Sequence, residues 1–524
     1  MSERDESVPG TQEVSVLSAD MTEPPDTWPP SESRARFTLD RRGPLLGGFA
    51  GWAGPLAATA LGAALRLPRL DQPHALVFDE TYYVKDALSI LKYGYERKVV
   101  DSANDMLLAG NPNIFTEDAS YVVHPPLGKW VIAAGEHIFG ANPFGWRIGV
   151  AILGILSVLI VGRITRRLTR SNVAGTTAAL LLALDGLHIA MSRTALLDTT
   201  LSFFILCAFG FLIIDRDSGL TRAPHSHIPR FSRIGMTCSL GLAMATKWSA
   251  AYFAVAFVLL MLSWDFGRRR AQRIADSTGG SAFGTWFSRD ALPALLIPLT
   301  IVSVYIISWF GWLRSTDAWN RSWASKTTSG NAAWDAVRSL WHYHADMWHF
   351  HTHLVSAHNY KANPLGWPLM LRPTSFFYET PDTCGVSKCA QEVIPLGNPL
   401  IWWLGAAALL ALITLIARQL HTAALPILTA FFAGWVPWLM YYQRTTFTFY
   451  SVVFIPYTVM ALALLIHIVS KRFRSRPDDD EWDWLTIGFL CLVAVITMFF
   501  YPILTGIAIP YEQWHLRMWL PSWV

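Results

Sequence analysis

Charge is scarce in this chain of 524 residues: Asp, Glu, Lys and Arg make up 15% of it, against 52% hydrophobic residues. Soluble domains carry about a quarter charged residues, so an ordinary water-soluble enzyme is excluded and membrane material is indicated. Cysteine is sparser still. Five in this length exclude a scaffold built from disulfides, and the lack of any C-x-x-C pair excludes a thiolate zinc site. The 42 basic and 38 acidic residues leave a formal net charge of +4, with no unpaired basic field to grip a nucleic-acid backbone. A secretory leader is missing as well, since residues 1 to 40 offer neither a basic start nor an apolar run; the first span is expected to stay as an anchor.

What those first residues do contain is Ser, Glu, Asp and Pro, as in Thr22-Glu-Pro-Pro-Asp-Thr-Trp-Pro-Pro30, a composition with no apolar face to bury. Residues 1 to 43 are expected to form a disordered cytoplasmic tail, and residues 44 to 524 a single membrane domain. A helix needs about twenty apolar residues to cross the hydrocarbon layer. Such stretches predict eleven spans: 45 to 66, 144 to 164, 173 to 191, 195 to 214, 232 to 247, 250 to 265, 291 to 311, 399 to 417, 423 to 441, 447 to 469 and 485 to 505. The fold class expected is an all-α polytopic membrane protein.

Lys and Arg in short loops mark the cytoplasmic side. With eleven spans and a cytoplasmic N-terminus, Arg163 to Arg170, Arg216 to Arg233, Arg268 to Arg273, Arg418 and Lys471 to Arg476 all fall on that side. The same count sends two long loops, 67 to 143 and 312 to 398, and the Trp-rich C-terminus (Trp514, Trp519, Trp523) to the extracytoplasmic face. Loops of that length are usually functional.

Four features in or near these loops are able to carry chemistry. Phe78-Asp79-Glu80-Thr81-Tyr82-Tyr83 sets two acids among aromatic rings, where a partly dry carboxylate has its pKa raised and serves as a general base; the competing reading is a solvated turn. His124-Pro-Pro-Leu-Gly-Lys129 is a rigid turn into a helix along the interface, holding His124 and Lys129 in defined places, either for function or as a turn with a snorkelling Lys. Arg66, Arg147, Arg193, Asp198, Lys247 and Arg444 lie at or near the outer ends of spans. Ionisable groups at membrane depth are costly unless they pair or bind a ligand. Several cations beside an acidic site suggest an anionic ligand, and Arg suits phosphate; Arg193 and Asp198 pairing with each other is the plainer alternative. Last, His342 to His353 holds five imidazoles, read as an aromatic, His-rich rim rather than a zinc site, because His349, His351 and His353 align only in a strand. Cys384 and Cys389, five apart around Gly385 in an oxidising location, are expected to form a disulfide.

Taken in order, Phe78-Asp-Glu80, His124-Pro-Pro-Leu-Gly-Lys129, Ser192-Arg-Thr-Ala-Leu-Leu-Asp198, Ala245-Thr-Lys-Trp248, Leu371-Arg-Pro373 and Arg444-Thr-Thr-Phe447 resemble the protein O-mannosyltransferases of the actinobacterial branch. The resemblance covers about residues 44 to 524. It implies a GT-C type glycosyltransferase fold of about eleven transmembrane helices, with interfacial helices in its extracytoplasmic loops. The 312 to 398 loop is too short for the β-trefoil domain of eukaryotic members. The resemblance also implies a polyprenyl-phosphate-mannose donor, Ser or Thr hydroxyls of translocated proteins as acceptors, and the secretion translocon as a neighbour in the plasma membrane. It gives the catalytic position to Asp79 first and Glu80 second, and sets Arg66 and Arg147 near the donor phosphate. Lys129, Arg193, Lys247 and Arg444 join them by motif match, with Tyr83, His124 and Asp198 lining the substrate site. No cofactor is obligatory on this reading, although Asp79 and Glu80 are able to hold a divalent cation weakly. Two alternatives compete: transfer of another lipid-phosphate sugar to a glycan or lipid, and a transporter. The transporter is disfavoured because no inverted repeat or matched pair of broken spans is visible.

Overall fold

A computed structural model describes residues 48–221, 231–275, 282–327, 330–418, 422–473 and 480–524 of the chain; the tail expected at residues 1 to 43 lies outside them. Helices occupy the place of each expected span. Among the described residues seven are long and apolar enough to cross a membrane by themselves: Pro143–Thr169, Leu197–Ser218, Ala250–Ala271, Pro399–Ala417, Ala424–Tyr441, Ile455–Arg472 and Trp484–Thr505. The expected span 173 to 191 is two helices, Asn172–Leu184 and Gly186–Ser192, bent by 62°. Asp185 causes the break. Its extended backbone ends the first helix, and its carboxylate caps the second at the His188 N–H, 2.9 Å away, and accepts from Trp402 Nε1 at 2.7 Å. Ala50–Arg66 and Phe231–Met244 are shorter than a full span, and Leu295–Ser308 is a shorter apolar stretch of Ala282–Ser308.

At one end of the bundle Arg167 meets Asp217 at 2.8 Å, Arg233 bridges Asp215 and Asp265, and Asp480 accepts from Ser171. At the other end the long segments fold back over the helices and add short β-ladders to the helical fold. Arg97–Val99 pairs antiparallel with Phe115–Ala119, and Phe377–Glu379, Cys389–Val393 and Ile509–Pro510 form a three-stranded sheet. Backbone outside the helices still needs hydrogen-bond partners where it is covered, and these short ladders supply them. The sheet joins the C-terminal segment to the 312 to 398 loop: Tyr511 N–H donates to Lys388 O, Trp514 Nε1 to Glu392 and Trp523 Nε1 to Met370 O. The Cys384 and Cys389 sulfurs are bonded at the turn before Cys389–Val393.

Two amphipathic helices cross this end, Glu80–Tyr93 and Leu127–Phe139, the second at the place of the expected interfacial helix. Leu127 N–H donates to Ala245 O, and a Cβ on Gly128 would stand 2.8 Å from Leu197 and 3.0 Å from Thr246. A side chain at 128 would therefore push apart three of the motif segments.

Candidate active site

Asp79 is the N-cap of Glu80–Tyr93 and sits one residue after a strained position. Phe78 has φ +52°, a left-handed conformation that costs a non-glycine residue of order 1 kcal/mol or more. Ring packing holds it there: Phe78 stacks on Phe376 at 4.7 Å and meets Phe449 edge-on at 5.6 Å. The result turns the Asp79 carboxylate toward a different set of groups from those around its neighbour Glu80.

Glu80 is completely buried, and both its oxygens are spent. Arg147 donates to it through Nε and Nη2, each at 2.8 Å, and the N–H groups of Val77 and Ala195 donate at 2.8 Å. Arg147 gives its remaining donors to the carbonyls of Leu70, Pro73 and Ala75. Arg193 binds the carbonyls of Arg66, Pro68 and Arg69, and Arg66 binds those of Gly62, Leu182 and Ala183 together with His188 Nδ1. These findings correct the expected roles. Glu80 is not a second base, nor a partner of Asp79 for a cation, because a carboxylate holding four donors has no lone pair to offer. Arg147 and Arg193 hold the 66 to 75 backbone that leads into Asp79, and Arg66 ties its own helix to the bend at 182 to 188. Lys129 is likewise turned away, buried between Glu96, with which it forms a very short contact, and Asp86 at 3.9 Å. Burial raises the Asp86 carboxyl, against the pull of Lys129 and with the push of Glu96.

The other candidates do come together. A cavity of about 400 Å³ is lined by His124, Asp198, Lys247, His351, Arg444 and Tyr450, with Trp248, Trp348 and Trp438 among its walls. Asp198 pairs with Lys247 at 2.8 Å rather than with Arg193, and the Lys247 ammonium stands 5.3 Å from the Tyr450 ring centre. Arg444 donates to His351 O at 3.0 Å and Thr445 O at 3.3 Å, which occupies only part of its fork. Tyr83 reaches Asp79 at 3.5 Å and lies 6.0 Å from the His124 ring. Burial pushes the Asp79 carboxyl up from 3.8 to about 6; Lys247 pulls it down, Asp198 pushes it up and the Tyr83 hydroxyl pulls it down. His124 is driven well below its ordinary value, first by burial and then by the nearby cations. His351 falls to about 4, chiefly by burial, and so stays neutral at physiological pH. The arrangement sets a carboxyl raised to about 6 near Lys247 and Asp198, while Lys247 and Arg444 line the chamber.

The aromatic, His-rich rim expected at residues 342 to 353 gives Trp348 and His351 to the wall, and Trp248 and Trp438 join it from other segments. Trp248 Nε1 donates to the Tyr305 hydroxyl at 3.1 Å, which lies 2.6 Å from His344 Nε2, and Trp348 comes from the helix Ala332–His353 that carries the imidazoles. Because the imidazole run is helical, His351 turns to the cavity while His349 stacks on His353 at 4.2 Å. Among the described residues no three His, Cys, Asp or Glu groups are placed to hold a metal ion.

The chain is similar to known proteins over nearly its whole length. It is 33% identical over 504 residues to the polyprenol-phosphate-mannose protein mannosyltransferase of Mycolicibacterium smegmatis, covering 90% of this chain and 93% of that protein. The protein of the same description from Corynebacterium glutamicum is 31% identical, covering 85% and 88%. Among solved structures, the S. cerevisiae protein O-mannosyltransferase complex bound to the sugar donor has the same fold, with a TM-score of 0.67 at 16% identity over 90% of this chain and 92% of that one. Residues 56–305 match the family model for dolichyl-phosphate-mannose-protein mannosyltransferase, and residues 336–523 that for the C-terminal four-span region of protein O-mannosyltransferase. Fold, motif order and family models agree, and the chain belongs to the protein O-mannosyltransferase family.

Proposed function

We propose that the chain transfers mannose from polyprenyl-phosphate-mannose to Ser or Thr hydroxyls of proteins being exported, with inversion and without a covalent sugar intermediate. One observation carries the mechanism: Asp79, its acidity shifted to about 6, stands beside a chamber into which Lys247 and Arg444 project. The acceptor oxygen attacks the anomeric carbon as the bond from that carbon to the phosphate oxygen breaks. The hydroxyl proton passes to Asp79, and the bonding pair leaves with the lipid phosphate. Charge growing on that phosphate is met by Lys247 and Arg444, fixed cations in a site with little water. Tyr83 positions Asp79, and Glu80 with Arg147 fixes the backbone on which both depend. The site then faces the extracytoplasmic side, with eleven spans, a cytoplasmic N-terminus and the secretion channel as the source of acceptors.

The test is transfer of tritiated mannose from polyprenyl-phosphate-mannose to a Ser/Thr-containing peptide by the purified full chain, with Asp79→Asn beside it. Label in peptide from the parent alone is the expected result. Label passing to a glycan or lipid but never to peptide would reassign the acceptor, and a fully active Asp79→Asn would remove the base.

A further inference from the structure

His124 stands between two anchored stretches of backbone. On its C-terminal side Pro125 and Pro126 have no N–H to give, and the next one, on Leu127, donates to Ala245 O at 3.0 Å. On its N-terminal side the anchors come from the 312 to 398 loop, from the helix Ala332–His353. Val122 N–H donates to the Tyr343 hydroxyl at 3.1 Å, and that hydroxyl donates back to Val122 O at 3.0 Å. His351 Nε2 lies 2.7 Å from Val123 O. A carbonyl only accepts, so Nε2 carries the His351 proton. The Tyr343 hydroxyl is held in place by its own ring, which is 1% exposed and packed among those of Trp309, Trp312 and Trp319 at 5.1, 6.1 and 5.0 Å.

The His124 ring lines the cavity between the rings of Tyr83, at 6.0 Å, and His351, at 5.1 Å. Its Nδ1 is buried with no hydrogen-bond partner. Burial and the nearby cations keep the ring neutral, so one nitrogen bears the proton and the other a lone pair. A buried N–H without an acceptor is rarer in proteins than a lone pair without a donor, which places the proton on Nε2, the nitrogen left to face the cavity. Lys247 and Arg444 supply the charge that a phosphate calls for; an uncharged N–H beside them suits a hydroxyl oxygen. His351 also sets a spacing. Its ring holds Val123 while its carbonyl accepts from Arg444 Nε at 3.0 Å, so one residue fixes how far His124 stands from a cation of the phosphate side.

We infer that Tyr343 and His351 are positioning residues: from the 312 to 398 loop they hold the backbone of Val122 and Val123 in the 67 to 143 loop, so that His124 presents Nε2–H to a hydroxyl oxygen of the transferred mannose. The identity of the sugar rests on the mannosyl-transfer reading; the clamp between the two loops does not.

Amide hydrogen exchange of the full chain in nanodiscs tests the clamp, read on the peptide covering residues 119 to 125. Tyr343→Phe and His351→Phe each keep a ring and remove the group that holds the backbone, and exchange over that stretch is expected to quicken severalfold in both while Ala332–His353 stays protected. Unchanged protection overturns the clamp whatever the transfer assay shows. In that assay His124→Ala and Tyr343→Phe should each lower kcat/KM for the donor, the lost hydroxyl by about tenfold at most. The double variant should be no worse than His124→Ala alone, because both losses run through one contact. Losses that multiply would leave Tyr343 a merely structural residue and overturn its role. Among donors each lacking one mannose hydroxyl, one is expected to be transferred equally well by the parent and by His124→Ala; an equal loss with every such donor takes the N–H away from the sugar and overturns that assignment. A parent chain that transfers no mannose overturns the sugar assignment together with the mannosyl reading, and the exchange result alone then decides the clamp.

Discussion

If Asp79 takes the acceptor proton, activity must fall as the pH drops through its pKa, and the structure sets where. With the carboxyl at about 6, about nine-tenths is ionised at pH 7 and about one-tenth at pH 5, so kcat/KM should drop about tenfold between them. At the ordinary 3.8 the same step would cost only about 6%. The donor is a phosphodiester, ionised throughout, and His351, at about 4, titrates too low to produce such a limb. Loss of the fold through Asp79 does not imitate it either. A carboxyl whose folded pKa lies above its unfolded one favours the folded state at low pH, and that advantage fades as the pH rises from about 4 to about 6. The assay is initial mannosyl transfer at donor concentrations below KM, from pH 4.5 to 8, with thermal unfolding followed at each pH. Asp198→Asn removes a charge that raises Asp79 and should move the limb down. A flat profile to pH 4.5, or a limb unmoved in Asp198→Asn, refutes the assignment.

Arg147→Ala leaves Glu80 in a fully buried site without its counter-ion, held only by the Val77 and Ala195 N–H groups, a loss of about 3–5 kcal/mol; it should lower the thermal midpoint and the folded yield, and parent-like stability with a raised donor KM would contradict the structural role. Arg444→Gln removes a charge-assisted contact of about 1.5–3 kcal/mol, so kcat/KM for the donor should fall about 10- to 150-fold with the melting curve unchanged, measured by donor titration. Activity should survive dialysis against a strong chelator, because Lys247 and Arg444 meet the leaving charge; loss restored by added divalent metal would show otherwise.

Seven long apolar helices were legible because twenty apolar residues have few other uses, and the order of motifs pointed to the family before any geometry was known. What stayed hidden was the direction of each charged side chain. Arg66, Arg147, Arg193, Lys247 and Arg444 share charge and approximate depth, yet the first three turn to buried backbone and Glu80 while Lys247 and Arg444 line the cavity. That division depends on where the 62 to 75 backbone runs, which no local pattern encodes. Asp79 and Glu80 present the same problem in two residues: adjacent carboxylates diverge because a helix begins between them and Phe78 takes a left-handed turn before it. The bend at Asp185 was hidden too, since an apolar run reads alike whether straight or broken.

The C-terminal ladder has a consequence for biosynthesis. Ile509–Pro510 is the third strand beside Cys389–Val393, Ser522 O accepts from Arg372, and Arg372 in turn donates to Asn359 O. Residues 506–524 leave the ribosome more than a hundred residues after Cys389–Val393. A nascent chain whose Trp484–Thr505 helix is still emerging therefore carries every residue of the cavity but not the strand that completes the ladder under the 312 to 398 loop. That sheet is finished only by the last residues to be made.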